Sequence, residues 1–178
     1  VLLISVLVCC ARKPVVPTKL HSLTKNLYCI TGLGGNVLVL KTEKGLFMVD
    51  SLTPELAPKL VKILRKISNK PVTYLINTHY HYDHVGGNDS VGTQADIYIH
   101  PEGKKALIKD QKLKRSNYKF LKKLKTTTGM KLKFKNETIR IYHPGAGHTG
   151  GDLIVVFEKA KYIHLGDIFF NGIVPFID

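Results

Sequence analysis

The sequence predicts an α/β domain, with its chemistry gathered at strand ends and in loops. Three observations lead there. Short apolar runs with strand-like patterning recur along the chain, and one run near its first third carries apolar residues at helical spacing. The clustered histidines and aspartates fall at strand ends or in Gly-rich turns, where the ends of neighbouring strands can collect them. At 178 residues and 44% hydrophobic composition, the chain fits one domain with a real core.

In order, residues 27–30, 37–41 and 46–50 read as strands, with Glu43-Lys44-Gly45 as a hairpin turn between the last two. Thr53 is a good N-cap with Pro54 at the first helical position. Leu56, Leu60, Ile63, Leu64 and Ile67 then mark one helix face. Residues 71–77 form a short apolar strand and 97–100 another, after which Pro101 opens a lysine-rich helical segment. Met130, Leu132 and Phe134 alternate with Lys131, Lys133 and Lys135, the pattern of a half-exposed strand. Residues 139–142, 153–157 and 162–165 complete the strands.

The densest chemistry is Thr78-His79-Tyr80-His81-Tyr82-Asp83-His84-Val85-Gly86-Gly87. Three imidazoles and a carboxylate in one turn would cost several kcal/mol to bury without a partner, whereas they are the ligand types that hold zinc. Residues two apart in extended backbone point the same way, so His79 and His81 can share one metal. Asp83 and His84 point apart from that pair, toward a second position, and Gly86-Gly87 lets the backbone turn closely beneath the site. A second cluster, Pro144 to Asp152, is a Gly-rich turn presenting His148. Added to His79 and His81, it gives three nitrogen ligands and an open position, the pattern of a catalytic zinc. The strand ending in Gly166-Asp167 places Asp167 to bridge two ions. His100, His143 and His164 stand outside these motifs and read as structural; Asp50 reads as a residue that orients the ligand loop from behind. Tyr80 and Tyr82 either wall the cleft or simply pack.

These motifs make the chain resemble the metallo-β-lactamase superfamily from about Asn26 onward, including Asn36-Val37 after Gly34-Gly35 and Val49-Asp50-Ser51. The resemblance implies an αββα sandwich, here incomplete at its C-terminal end. It implies His79, His81 and His148 as ligands of a first zinc, Asp83 and His84 as ligands of a second, and Asp167 as the bridge. Two zinc ions per intact protein are expected. The family's last ligand is a histidine on a later strand, and no histidine follows His164. The second site is therefore expected to be weak in this 178-residue chain, leaving about one tightly held zinc. Lactamases with a thiolate ligand carry Cys near the bridging aspartate and Arg in place of His84, and another lactamase subclass lacks the bridge. Keeping both His84 and Asp167 resembles glyoxalase II and the broad hydrolase branch.

Val1 to Ala11 is an apolar run followed by Arg12-Lys13-Pro14. It is shorter than the ~20 residues that span a bilayer and reads as the core of an export signal. Residues 1–17 are thus expected to be signal remnant and linker, His21 to lie exposed in linker, and 18–178 to form the domain, with sequence missing at both ends. Cys9 or Cys10 offers a lipid-attachment site and a route to membrane association, although neither is preceded by the usual small residue. Periplasmic or secreted localisation follows. Cys29 would remain as a small core residue. The net charge of +14 concentrates in residues 104–125; the expected reading is a solvated helix face, with attraction to nucleic acid or another anion as the rival.

The function expected is a zinc-dependent hydrolase of a small-molecule ester, thioester or amide. Zinc-activated hydroxide attacks, and Asp83 is the catalytic residue that holds and orients it. No nucleic-acid partner is expected. The alternatives are a β-lactamase, disfavoured by Asp167, a nuclease or nucleic-acid binder using the lysines, and a non-catalytic metal-binding module.

Overall fold

A computed structural model describes residues 17–32, 34–110, 119–172 and 174–178. The N-terminal apolar run with Cys9 and Cys10 lies outside the described residues, as does the middle of the lysine-rich segment.

The strands form two sheets. The first runs β1 (Lys19–Ser22), β2 (Leu27–Gly32), β3 (Gly35–Lys41), β4 (Leu46–Val49), β5 (Val72–Ile76), β6 (Asp96–Ile99) and β7 (Lys125–Thr126), in that spatial order. Pairing is antiparallel from β1 to β4 and parallel from β4 to β7. The second sheet is antiparallel: β8 (Gly129–Lys133), β9 (Thr138–Tyr142), β10 (Ile154–Phe157) and β11 (Tyr162–His164), ordered β11-β10-β9-β8. Helices α1 (Ala57–Ile67), α2 (Tyr82–Val85), α3 (Asn88–Val91) and α4 (Pro101–Lys109) lie in the connections of the first sheet.

Strand periodicity explains the layering. Successive side chains of β4 leave by opposite faces, and all four are buried. Leu46 and Met48 join a cluster with Leu60, Ile63, Leu64 and Ile67 of α1. Phe47 and Val49 join Ile139, Ile141, Val155 and Phe157 of the second sheet. The described residues therefore stack as helix, sheet, sheet, in agreement with the expected mixed α/β sandwich. On β8 the lysines face solvent while Met130 and Leu132 pack inward, as their alternation predicts.

Three details differ from expectation. Lys19–Ser22, which includes His21, is a paired edge strand rather than linker. All four of its residues are exposed, so backbone pairing and a His21–Thr31 side-chain hydrogen bond define it and no apolar pattern marks it. Helix α1 begins at Ala57 instead of Pro54, because Thr53 to Leu56 closes a turn first, with the Leu56 and Ala57 N–H groups donating to the Thr53 and Pro54 carbonyls. The lysine-rich helix stops at Lys109. Beyond it, Lys119–Lys123 is a 3-10 turn whose Phe120 is buried, and the chain then enters β7. Leu107 enters the core from α4, Phe120 from the 3-10 turn, and Leu124 from the link between that turn and β7.

Phe47 sits fully buried between the sheets, edge-on to Phe134 and Phe157 at centroid distances of 6.1 and 6.0 Å. Phe47→Ala should cost about 3–5 kcal/mol by opening a cavity between layers that cannot close on each other. A urea unfolding midpoint unchanged from the parent would contradict this packing.

Candidate metal centre

Parallel pairing places the carboxyl ends of β4, β5 and β6 on one edge. The residues that follow those ends are Asp50, Asn77-Thr78-His79 and His100. From the second sheet, the turn between β9 and β10 brings His148 to the same edge, and the end of β11 brings Asp167. The Leu153 N–H donates to the Thr78 carbonyl at 2.7 Å, tying the two ligand-bearing loops together.

Asp50 is the hub. It is 1% exposed and has φ of 60°, a conformation costly for a residue with a side chain. That backbone turns its carboxylate under the ligand loop. Oδ1 accepts from the Thr78 N–H at 2.8 Å; Oδ2 accepts from the Thr78 hydroxyl at 2.8 Å and from His84 Nδ1 at 2.8 Å. Asn77 donates to the His84 carbonyl and is paired with Asn88, which fixes the backbone of His84 from the other side. Close approach needs glycine at two places. A Cβ on Gly34 would stand 2.5 Å from that of Asp83, and one on Gly87 would stand 2.2 Å from the Ser51 carbonyl oxygen. The tight turn expected at Gly86-Gly87 thus rests on lack of a side chain; neither residue has a positive φ.

The tautomers follow from what lies behind each ring. His79 Nδ1 faces the Thr78 oxygen at 3.1 Å, and because that hydroxyl donates to Asp50, the imidazole is the donor. His81 Nε2 donates to Asp178 Oδ2 at 2.9 Å, and His148 Nδ1 donates to the Phe176 carbonyl. A neutral imidazole carries one N–H. The inner nitrogens, His79 Nε2, His81 Nδ1 and His148 Nε2, therefore present lone pairs to one another. They lie 3.1 Å apart from His79 to His81 and 2.9 Å from His148 to His81. Lone pairs held that close repel unless a cation sits among them, so this donor set fits a metal ion.

A second group, His79, His84 and Asp167, also converges. His84 Nε2 is buried without a hydrogen-bond partner. Asp167 Oδ1 is 3.2 Å away without hydrogen-bond alignment, and Asp83 Oδ2 is 3.7 Å away. Burial pushes the His84 pKa down, but the Asp50 charge, helped by Asp167 and Asp83, outweighs it and raises the value to about 10. These surroundings favour a cation at Nε2. His79 is the opposite case: burial, then the neighbouring His84, His81 and His148, hold its pKa well below the ordinary range, leaving it neutral as a ligand must be. Burial opposes ionisation of Asp167, yet the His84, His148 and His81 contacts prevail and lower its pKa.

The structure thus brings together His79, His81 and His148, and places His84 with Asp167. Asp83 stands at the rim, its side chain 37% exposed, outside both convergent groups. His100 caps α4 and stacks on His143 at 4.0 Å, and His164 donates to the Asn36 carbonyl at 3.0 Å; all three are structural, as expected. Cys29 is half-buried, and burial raises its thiol pKa. Tyr82 donates to Glu55 at 2.6 Å. Sequence reasoning missed Thr78, Asp178 and the Phe176 carbonyl; the two tail positions belong to no spacing pattern.

The metallo-beta-lactamase superfamily profile matches residues 30–178, and the chain belongs to that superfamily. It is 34% identical over 146 residues to a metallo-beta-lactamase type 2 of Bacillus sp. strain 170, covering 76% of this chain and 54% of the relative. It is 33% identical over 145 residues to the metallo-beta-lactamase type 2 of Bacillus cereus, with the same 76% and 54% coverage. The chain thus spans about half the length of these curated relatives. A solved B3 metallo-beta-lactamase with an active-site glutamic acid shares the fold at a TM-score of 0.67 and 22% identity, covering 80% of this chain and 58% of that one.

Asp50→Ala should leave His84 Nδ1 and the Thr78 N–H unpaired in a dry site. Each unpaired group costs about 1–3 kcal/mol, so the unfolding midpoint should fall clearly. Asp50→Asn should recover part of the loss; equal stability of Asp50→Ala and parent would show that the hub is dispensable.

Proposed function

We propose that this chain carries the metal centre of a zinc-dependent hydrolase that cleaves an ester, thioester or amide of a small molecule. The observation that carries the reading is the convergence of His79 Nε2, His81 Nδ1 and His148 Nε2, each deprived of its proton by an acceptor behind it. His84 Nε2, Asp167 and the neighbouring Asp83 would hold a second ion beside the first, giving two per intact protein. Zinc bound there supplies water activated near neutral pH and a Lewis acid for the attacked oxygen. The protein's own contribution is positional. Asp83 Oδ2, at the open rim, orients the attacking water and takes its proton; Asp167 faces both His84 and His148 and aligns the two groups. No serine or cysteine nucleophile is needed.

A β-lactam is itself a cyclic amide, and the names of the Bacillus relatives favour a β-lactamase as the second reading. The lysines support the reading without nucleic acid. Lys104 and Lys123 donate to backbone carbonyls, and Lys105 and Lys125 pair with Glu102 and Asp96, so much of the described basic charge is engaged within the chain. Among the described residues no helix is long and apolar enough to cross a membrane. The apolar run at residues 1–11 supports export to a periplasmic or extracellular location, with Cys9 or Cys10 available for lipid attachment.

The test joins elemental analysis to a substrate panel of thioesters, lactones and a chromogenic β-lactam. Zinc should co-purify, a strong chelator should abolish turnover, and His148→Ala should lower zinc content. Asp83→Asn should lower kcat about 100-fold or more by removing a proton acceptor while leaving the first site filled. Unchanged zinc content in His148→Ala would defeat the metal assignment.

A further inference from the structure

The three nitrogens that converge on the first metal position are not held equally well. His79 and His148 are buried, with 0% and 3% exposure, so packing fixes their rings. The His81 side chain is 23% exposed. Its ring packs edge-on to those of His79, Tyr80 and His148 but is less covered than its partners, so a hydrogen bond at the outer nitrogen adds the restraint that keeps Nδ1 aimed inward. That bond comes from the tail: His81 Nε2 donates to Asp178 Oδ2 at 2.9 Å.

The carboxylate is itself anchored. Tyr80, the residue before His81, donates its hydroxyl to the same Oδ2 at 2.5 Å, and the Asp178 N–H donates to the His148 carbonyl at 3.0 Å. Two residues earlier, the Phe176 carbonyl accepts from His148 Nδ1. The rings of Phe170 and Phe176 stand edge-on to His148 at 5.7 and 6.0 Å. The segment after Asp167 therefore meets two of the three ligands from behind, once through a backbone oxygen and once through a charged side chain. A backbone carbonyl only orients an imidazole. A carboxylate also raises the electron density at the far nitrogen, strengthening its bond to a metal.

We propose that Asp178, clamped by Tyr80, is a positioning residue that aims His81 and sets the affinity of the first metal position. This rests on the metal-centre reading above and adds a residue which no spacing in the ligand motifs marks. Asp178 touches neither substrate nor metal; it acts through His81. The Tyr80 hydroxyl has the lesser role of holding the carboxylate.

The test measures zinc affinity by chelator competition, and ligand geometry by the visible spectrum of the cobalt-substituted protein, using the full chain. Asp178→Ala should weaken zinc binding about 10–100-fold and alter the cobalt bands. Asp178→Asn keeps a neutral acceptor and should fall between it and the parent, and Tyr80→Phe should show the smallest loss. Glu102→Gln, which removes a charge from the same cleft without touching His81, should bind zinc like the parent. If Asp178→Ala does not fold, the Asn and Tyr80→Phe variants carry the comparison, with the melting temperature of the metal-free chain as the check on structure. Parent-like affinity and cobalt spectrum in the Asp178 variants would overturn the inference while leaving the metal centre standing. Parent-like zinc binding in His81→Ala would remove both.

Discussion

The centre depends on one buried carboxylate. Asp50 sits where β4 ends, and in a parallel sheet the neighbouring strand β5 ends at the same edge, delivering Thr78 to both oxygens of that carboxylate. Through Thr78 the hold extends to His79, and directly it extends to His84. Two imidazoles on opposite sides of a tight turn are thereby given their tautomers by one residue that would bind neither ion. The strained backbone at Asp50 makes sense in this setting, since only a turn of that kind points a side chain back beneath the neighbouring strand end. The surrounding core, with β4 buried on both faces, keeps the strain from relaxing.

Around that hub the electrostatics divide the site into two halves. His79 lies among other imidazoles and is kept neutral, whereas His84 lies among Asp50, Asp83 and Asp167 and is drawn toward positive charge. A position lined by three imidazole nitrogens suits zinc held at three points with an open ligand place. A position rich in carboxylates holds a cation chiefly by charge. The two halves share an edge but differ in the donors they present, so they would respond differently to loss of a ligand.

Residues 176 and 178 brace the centre from outside. His79 and His84, which follow β5, are braced by Asp50 and Thr78, which are buried and close in space to that strand. His81 and His148 instead rely on residues 176 and 178, which come after every ligand in the chain. The first metal position is therefore assembled from both sheets and the segment that follows them, and its quality reports on the docking of that segment.

The residues that converge were legible in the sequence because metal chemistry demands rare residue types at short spacings: His79, His81 and His84 fall within one turn, and His148 and Asp167 follow Gly-rich or apolar contexts that locate them at loop and strand ends, whereas Asp83 of the same turn stays outside both convergent groups. The main strands and the buried face of α1 were legible because burial imposes periods of 2 and 3.6 residues on the sequence. What only the tertiary structure decided is every relation without a period. The exposed strand β1 is made chiefly by backbone pairing, with one side-chain contact from His21 to Thr31. The start of α1 was settled by a preliminary turn, and the described parts of the lysine-rich run fall in α4, a 3-10 turn and β7, according to where their apolar residues had to reach. Asp178 meets His81 across 97 positions of chain. Nothing local in an exposed tail acid marks the imidazole it will hold, because the contact exists only once two sheets have brought their ends to one edge.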